Sequence, residues 1–230
     1  MAEQLALNLR LRDAAVFEGY HAGENGSAVQ ALVGLAQGEG EAQVFLWGAA
    51  QTGKTHLLQA VCHRASARGL ASAYLPLTEL GHEAEVLAGL EDVQVLALDD
   101  VESVVGRPDW ERALFNLING LRERGHRLVL ASRQNPTHLP VALPDLASRL
   151  LWGPVFHLAP LDDEAKLIVL TQRAVRRGFE LPVDAARYML RHHPRDLGYL
   201  LGLLDTLDEA TLAAQRRATI PFIRRVLDGS

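Results

Sequence analysis

Gly48-Ala49-Ala50-Gln51-Thr52-Gly53-Lys54-Thr55 satisfies the pattern G-x-x-x-x-G-K-[ST] at every fixed position. In a chain with 19 glycines, two lysines and 15 serines and threonines, that coincidence is expected by chance with a frequency on the order of 0.001. The flanks suit the mechanism. Val44-Phe45-Leu46-Trp47 reads as a buried strand. His56 to Arg68 reads as a helix with Leu57, Leu58, Val61, Cys62 and Ala65 on one side, and Gly69 is placed to end it. A strand, glycine loop and helix in that order aim successive backbone N–H groups and a helix N-terminus at a phosphate. Lys54 would neutralise the β and γ oxygens, and the Thr55 hydroxyl would ligate Mg2+. Twenty-one of the 23 basic residues are arginine, so a lysine here fits a site that needs a compact charge rather than a planar fork. Gly48, Ala50, Gln51, Thr52, Gly53, Lys54, Thr55 and His56 are therefore the expected nucleotide contacts.

The second half of such a site is a carboxylate at the tip of a buried strand. Val95-Leu96-Ala97-Leu98-Asp99-Asp100 supplies two, with Asp99 expected to hold Mg2+ through water and Asp100 to orient an attacking water. Further strands read at Ala71–Leu75, Val93–Leu98, Arg127–Ala131 and Val155–Leu158. A short helix is expected at Glu83–Leu90, and an amphipathic one at Asp109–Arg124 with Trp110, Ala113, Leu114, Leu117, Ile118 and Leu121 on one face. Alternating strands and helices predict an α/β P-loop core built on a five-stranded, mostly parallel sheet covered on both faces. Gly19, Gly23, Asn25 and Gly26 read as loop.

After Pro160 the strands stop. Asp162 can cap a helix running to Arg177, and others read at Val183–His193, Arg195–Leu207 and Pro221–Leu227, a small all-helical lid. The expected divisions are 1–12, an extended segment with leucines at 5, 7, 9 and 11; 13–160, the nucleotide-binding core; and 161–230, the lid. At 230 residues, 48% of them hydrophobic and 22% charged, the chain can bury a full core, which excludes a disordered or coiled-coil protein. A single cysteine excludes an internal disulfide, and Cys62 reads as a small core residue. No apolar run reaches membrane-spanning length and the N-terminus has no signal-like pattern, so no membrane association and a cytoplasmic location are expected. Residues 1–160 carry 12 basic and 18 acidic side chains and residues 161–230 carry 11 and 10, so no basic stripe predicts direct, sequence-specific DNA binding.

Three further stretches carry a resemblance. Pro144-Asp145-Leu146-Ala147-Ser148-Arg149-Leu150-Leu151-Trp152-Gly153 resembles the arginine-finger stretch of AAA+ replication-initiation ATPases. Arg177-Gly178-Phe179-Glu180-Leu181-Pro182 and Ala214-Gln215-Arg216-Arg217-Ala218-Thr219-Ile220-Pro221-Phe222 extend the likeness over essentially the full length. The chain is similar to the DnaA-related AAA+ P-loop ATPase family, and within it to the regulatory inactivators of DnaA. The resemblance implies an AAA+ core and lid, ADP or ATP with Mg2+ as cofactors, and DnaA and the DNA polymerase sliding clamp as partners, with self-association as a dimer. It implies that Arg149 is an arginine finger for a neighbouring subunit's nucleotide and that Arg195 contacts the nucleotide of its own subunit. Gln4-Leu5-Ala6-Leu7-Asn8-Leu9 is similar to a clamp-binding peptide, with Gln4, Leu5, Leu7 and Leu9 as its contacts and Asn8 where the usual form has proline. Ser132 is the expected polar sensor after the fourth strand, with Arg133 where the family pattern often has an acid, and Tyr20 and His21 are expected near the adenine. No counterpart of the initiator's DNA-binding helix-turn-helix domain is read in the sequence.

The function expected is negative regulation of replication initiation by stimulating ATP hydrolysis on DnaA. Two other classes stay open: a stand-alone ATPase of the helicase-loader or transposition-helper type, which would turn over alone and lose that turnover with Lys54→Ala, and a nucleotide-gated adaptor that hydrolyses nothing.

Overall fold

The computed structural model describes residues 15–80, 83–214 and 218–228. The chain divides at Ala159–Pro160 into an α/β unit and a helical unit. In the first, the elements run α1 (Gly26–Ala36), β1 (Gln43–Trp47), α2 (Lys54–Ala67), β2 (Ser72–Pro76), β3 (Val95–Asp99), α3 (Pro108–Glu123), β4 (Arg127–Ser132), α4 (Pro144–Leu150) and β5 (Val155–His157). All strand pairings are parallel, in the order β2-β3-β4-β1-β5, with Val44 opposite Val129 and Leu46 opposite both Ala131 and Phe156. The predicted α/β class, five-stranded parallel sheet and helical lid are what the chain adopts.

Period-two alternation builds the two covered faces. Val44, Leu46, Val95, Ala97, Val129 and Ala131 point to one side, where they pack with Leu32 and Leu35 of α1 and Leu57, Leu58 and Val61 of α2. Phe45, Leu96, Leu98, Leu128 and Leu130 point to the other, against Trp110, Leu114, Ile118 and Leu121 of α3 and Leu146 and Leu150 of α4. Each central strand is thus buried on both faces, which is why its sequence is apolar throughout.

Three elements differ from the sequence reading. Gly26 opens a helix rather than ending a loop: Ala28, Leu32, Leu35 and Ala36 are spaced at helical intervals and are buried. Glu83–Leu90 is not an α-helix but two short 3-10 turns, Ala84–Leu87 and Leu90–Asp92. Gly89, at φ 85°, separates them with a left-handed conformation that no α-helix accommodates. The stretch around Arg149, to which the sequence assigns no element, is the short helix α4, opened by Pro144.

The helical unit holds α5 (Asp163–Arg176), α6 (Val183–His192), α7 (Leu197–Ala214) and α8 (Ile220–Ile223), the last continuing into a π turn at Arg224–Asp228. Asp162 caps α5 as expected, its Oδ1 accepting from the Ala165 N–H at 2.7 Å. Leu167, Leu170, Ala186, Met189, Leu200, Leu204, Leu207 and Ile223 form its core. α7 starts two residues later than predicted, because Asp196 Oδ1 takes the Tyr199 N–H at 2.5 Å and so caps the helix, leaving Arg195 outside it. Among the described residues, no helix is long and apolar enough to cross a membrane.

Candidate functional site: a phosphate loop backed by a buried carboxylate

The loop between β1 and α2 lies at the carboxyl edge of the sheet, where α/β folds bind ligands. Its shape depends on two glycines. A Cβ on Gly48 would stand 2.7 Å from the Leu158 carbonyl oxygen and 3.2 Å from Thr52 Oγ1, so only glycine lets the chain leave β1 this close to the strand-end backbone. Gly53 sits at φ 88°, and a Cβ there would overlap the Tyr20 ring. Gln51, between them, also takes a left-handed φ of 67°, a conformation that costs a residue with a side chain. The loop is further fixed by Thr52 Oγ1 donating to Ala49 O at 3.1 Å.

Lys54, the first residue of α2, is 7% exposed and donates from Nζ to Gly48 O at 2.7 Å and Ala49 O at 2.8 Å. Burial lowers its pKa, partly offset by the charges of Asp99, Glu102 and Asp100. An ammonium has three donors, and the loop carbonyls take two.

Asp99, 1% exposed at the tip of β3, faces Thr55. Its Oδ2 accepts from Thr55 Oγ1 at 2.6 Å and Tyr74 Oη at 3.1 Å, and its Oδ1 accepts from the Asp100 N–H at 3.0 Å. Desolvation raises the Asp99 pKa, aided by the Asp100 charge and opposed by the Thr55 and Tyr74 hydroxyls and the Asp100 N–H. A carboxylate offers about four lone-pair sites. Both on Oδ2 are taken, and one on Oδ1 is left for a metal-bound water. Tyr74 was not singled out in the sequence: it lies on a different strand, 25 residues away, and nothing local marks it.

Asp100 stands at φ 55°, and its Oδ2 accepts from Thr78 Oγ1 at 3.3 Å. Ser132 is fully buried at the end of β4; its carbonyl accepts from the Gly48 N–H at 3.2 Å and its Oγ from the Gln134 N–H. Arg133 pairs with Glu102 at 3.7 Å.

Residues before α1 close over the loop. Tyr20 Oη donates to Thr52 O at 3.0 Å and accepts from Asn25 Nδ2 at 3.0 Å, while Asn25 also bonds both backbone groups of Ala159. His56 Nε2 meets Val16 O at 2.9 Å, so that nitrogen carries the proton. Tyr20 thus packs on the loop itself, and Asn25, read as a loop residue, is a buried tether.

The donor set fits a nucleotide polyphosphate: a backbone cradle too tight for a Cβ, a lysine at the helix start, and a hydroxyl held beside a buried carboxylate. Gly48, Ala50, Gln51, Thr52, Gly53 and Lys54 could hold the phosphates, and Thr55 and Asp99 the Mg2+.

The other expected residues lie elsewhere. Arg149, on α4, is half-buried. Its Nε donates to Asn119 Oδ1 at 3.0 Å, and its guanidinium stacks 3.9 Å from the Trp152 ring. Its carbonyl accepts from Gln43 Nε2 at 2.8 Å, which ties it to the first residue of β1. The phosphate loop leaves from the last. Five residues of strand separate Gln43 from Gly48, about 16 Å, so the two features sit at opposite edges of the sheet. Arg195, in the helical unit, is exposed and paired with Asp163 at 3.2 Å. Gln4, Leu5, Leu7 and Leu9 lie outside the described residues.

Two family models match the chain: the bacterial DnaA ATPase domain over residues 11–157 and the Hda lid domain over residues 163–227. Among solved structures, domain III of the replication initiation protein DnaA of Thermotoga maritima is similar with a TM-score of 0.79 at 22% identity, over 96% of this chain and 98% of that one. The AMPPCP-bound DnaA of Aquifex aeolicus gives 0.72 at 24%, over 87% and 67%. The RuvB Holliday junction branch migration motor of Thermotoga maritima gives 0.69 at 16%, over 95% and 72%. At these identities the structural likeness speaks for the fold alone.

Proposed function

We propose that this chain, which belongs to the bacterial DnaA ATPase-domain family and carries an Hda lid domain, is a nucleotide-bound negative regulator of replication initiation that triggers ATP hydrolysis by DnaA. The phosphate loop then serves binding and gating, and Arg149 acts on the nucleotide of the neighbouring subunit. The AMPPCP-bound DnaA relative supports an adenine nucleotide, ADP or ATP, as the ligand.

The nucleotide-binding part is supported by the chain's own side chains. The N–H groups around Gly48–Thr55 and the α2 N-terminus bind the phosphates, and Lys54 exchanges a loop carbonyl for a phosphate oxygen. Thr55 would hold Mg2+ through a free lone pair of its hydroxyl oxygen while donating its hydrogen bond to Asp99. Bound Mg2+ would neutralise phosphate charge there. Arg195 would report nucleotide state within its own subunit, residues Gln4, Leu5, Leu7 and Leu9 would load the protein on the sliding clamp, and self-association as a dimer in the cytoplasm would store it.

The observation that carries this reading is the mounting of Arg149 at the amino edge of the sheet, roughly a strand length from the chain's own phosphate loop. A cation so placed cannot serve its own nucleotide, which supports a role at a neighbour's. Such a finger is worth about 10³–10⁵ in rate. ATP hydrolysis by DnaA, measured with clamp on DNA and with wild-type or Arg149→Ala protein, tests it: the variant should leave hydrolysis at its unstimulated level, and equal stimulation by both removes the finger role. Deleting residues 1–11 should abolish clamp binding, and retained binding removes the N-terminal role.

A stand-alone ATPase is the second reading, favoured by the complete loop and the Asp99–Thr55 contact. It requires substantial turnover by the isolated protein that Lys54→Ala removes.

A further inference from the structure

Trp152, which follows α4, has two guanidiniums against its ring. Arg149 Cζ and Arg122 Cζ each lie 3.9 Å from the ring centroid. Both cations are therefore in contact with the indole and no more than about 8 Å apart. Arg122 comes from the last turn of α3, one helical turn beyond Asn119, which holds Arg149 Nε. That end of α3 leads into the start of β4, so all four residues sit at the amino edge of the sheet.

The two cations differ in their partners from seven of the chain's arginines. Arg64, Arg112, Arg124, Arg133, Arg177, Arg187 and Arg195 each meet a carboxylate. Among the described residues, Arg122 and Arg149 meet none, in a chain of net charge −5. Trp152 thus holds two like charges close together, with no carboxylate partner for either among the described residues. Arg122 is exposed, so its charge is presented to solvent.

We infer that Arg122 and Arg149 form a two-guanidinium clamp for a polyphosphate held by a neighbouring AAA+ subunit, with Trp152 as the shared aromatic platform of the two cations. The inference rests on the proposed action of Arg149 in trans and adds a second cation that no motif assigns. The ligand chemistry is that of a nucleoside triphosphate tail, whose several negative charges extend over a length comparable to the spacing of the cations. Trp152 holds both cations against one ring, and each guanidinium offers a planar fork to a phosphate oxygen pair.

The test separates charge from stacking. Hydrolysis of DnaA-bound ATP with clamp on DNA is measured for Arg122→Met, Arg122→Lys and Arg149→Ala, with thermal melting of each variant as a control. Arg122→Met keeps an apolar stem on the ring but removes the charge, and should lower stimulation about 10- to 100-fold at an unchanged melting temperature. Arg122→Lys keeps the charge and should restore most of it. If Arg149→Ala silences stimulation while Arg122→Met leaves it intact, the clamp is refuted and the finger stands. If Arg122→Met and Arg122→Lys lose equally, Arg122 acts only by orienting Trp152 and the clamp is again refuted. Full stimulation by Arg149→Ala refutes both.

Discussion

Glu111 holds three backbone N–H groups at once, and its removal has a calculable cost. The side chain, 1% exposed in the first turn of α3, accepts at Oε1 from Gly106 at 2.7 Å and Ala142 at 2.9 Å, and at Oε2 from Leu143 at 2.7 Å. Leu143 is the N-cap of α4, so one carboxylate fixes the entries to both helices at the amino edge. In Glu111→Gln the amide oxygen can keep the first two contacts, weakened by loss of charge, while the NH2 faces the Leu143 N–H, donor against donor. One charge-assisted bond is worth about 1.5–3 kcal/mol, and neutralising the other two brings the loss to about 3 kcal/mol. At about 2–4 °C per kcal/mol for a chain of this size, the melting temperature should fall by about 6–12 °C. All three tryptophans, Trp47, Trp110 and Trp152, lie in the α/β unit, so their fluorescence follows that unit's unfolding. The loss also depends on pH. Burial alone would raise the Glu111 pKa, but the N–H groups of Ala142, Gly106 and Leu143 outweigh it and hold the carboxyl below its usual value. A folded pKa below the unfolded one contributes stability that is complete above the unfolded value of about 4.3 and disappears as pH falls through the folded value. The gap between wild type and Glu111→Gln should therefore be flat near neutral pH and narrow below about pH 4. A loss under about 1 kcal/mol at pH 7, or a gap that widens in acid, would show that the three contacts do not act together.

Three other outcomes are expected. Tyr74→Phe removes one donor from Asp99 Oδ2, and should cut the Mg2+-dependent gain in nucleotide affinity about tenfold while leaving affinity in EDTA unchanged; calorimetry showing an equal loss in EDTA would make Tyr74 merely structural. Gly48→Ala places a Cβ 2.7 Å from the Leu158 carbonyl oxygen, so the variant should lose about 1–3 kcal/mol of stability and most of its nucleotide binding; a variant that binds normally would mean the loop can yield. Cys62 is fully buried, and burial pushes its thiol up to about 12, so iodoacetamide at pH 8 should label it only as fast as the core opens, and rapid labelling of folded protein would contradict that packing.

The sheet was legible because each central strand is apolar on both faces, a local signal that periodicity detects. The phosphate loop was legible because its chemistry needs consecutive residues. What was missed has a common physical cause. Tyr74 meets Asp99 from another strand, Glu111 reaches residues 31 and 32 positions away, and Asn25 bonds Ala159 across 134. Such contacts are fixed by the fold, and no short window contains both partners. α1 was hidden differently: Gly26 opens it and Gly34 lies inside it, so glycine content suggested a loop while burial of Leu32 and Leu35 against α2 and the sheet stabilises a helix. The Arg122–Trp152–Arg149 stack combines a helix end, a second helix and a turn, and only Arg149 belongs to a recognisable stretch.

The separation of charges across the sheet has a consequence for how the chain can act. At the carboxyl edge, Lys54 is surrounded by Asp99, Asp100 and Glu102. At the amino edge, Arg122 and Arg149 meet no carboxylate among the described residues. A monomer therefore carries the anion-binding cradle and the uncompensated cations on opposite sides, farther apart than an arginine side chain can span. The two come together only when the amino edge of one subunit meets the carboxyl edge of another. A dimer that pairs like edges would leave each polyphosphate without its cations. On the proposed reading, such a dimer is a resting form, and productive contact with DnaA needs the amino edge free. Stimulated hydrolysis should then fall as the concentration of this protein rises into its own dimerisation range, whereas a dimer that stimulates as well as the monomer would place the working surface outside the amino edge.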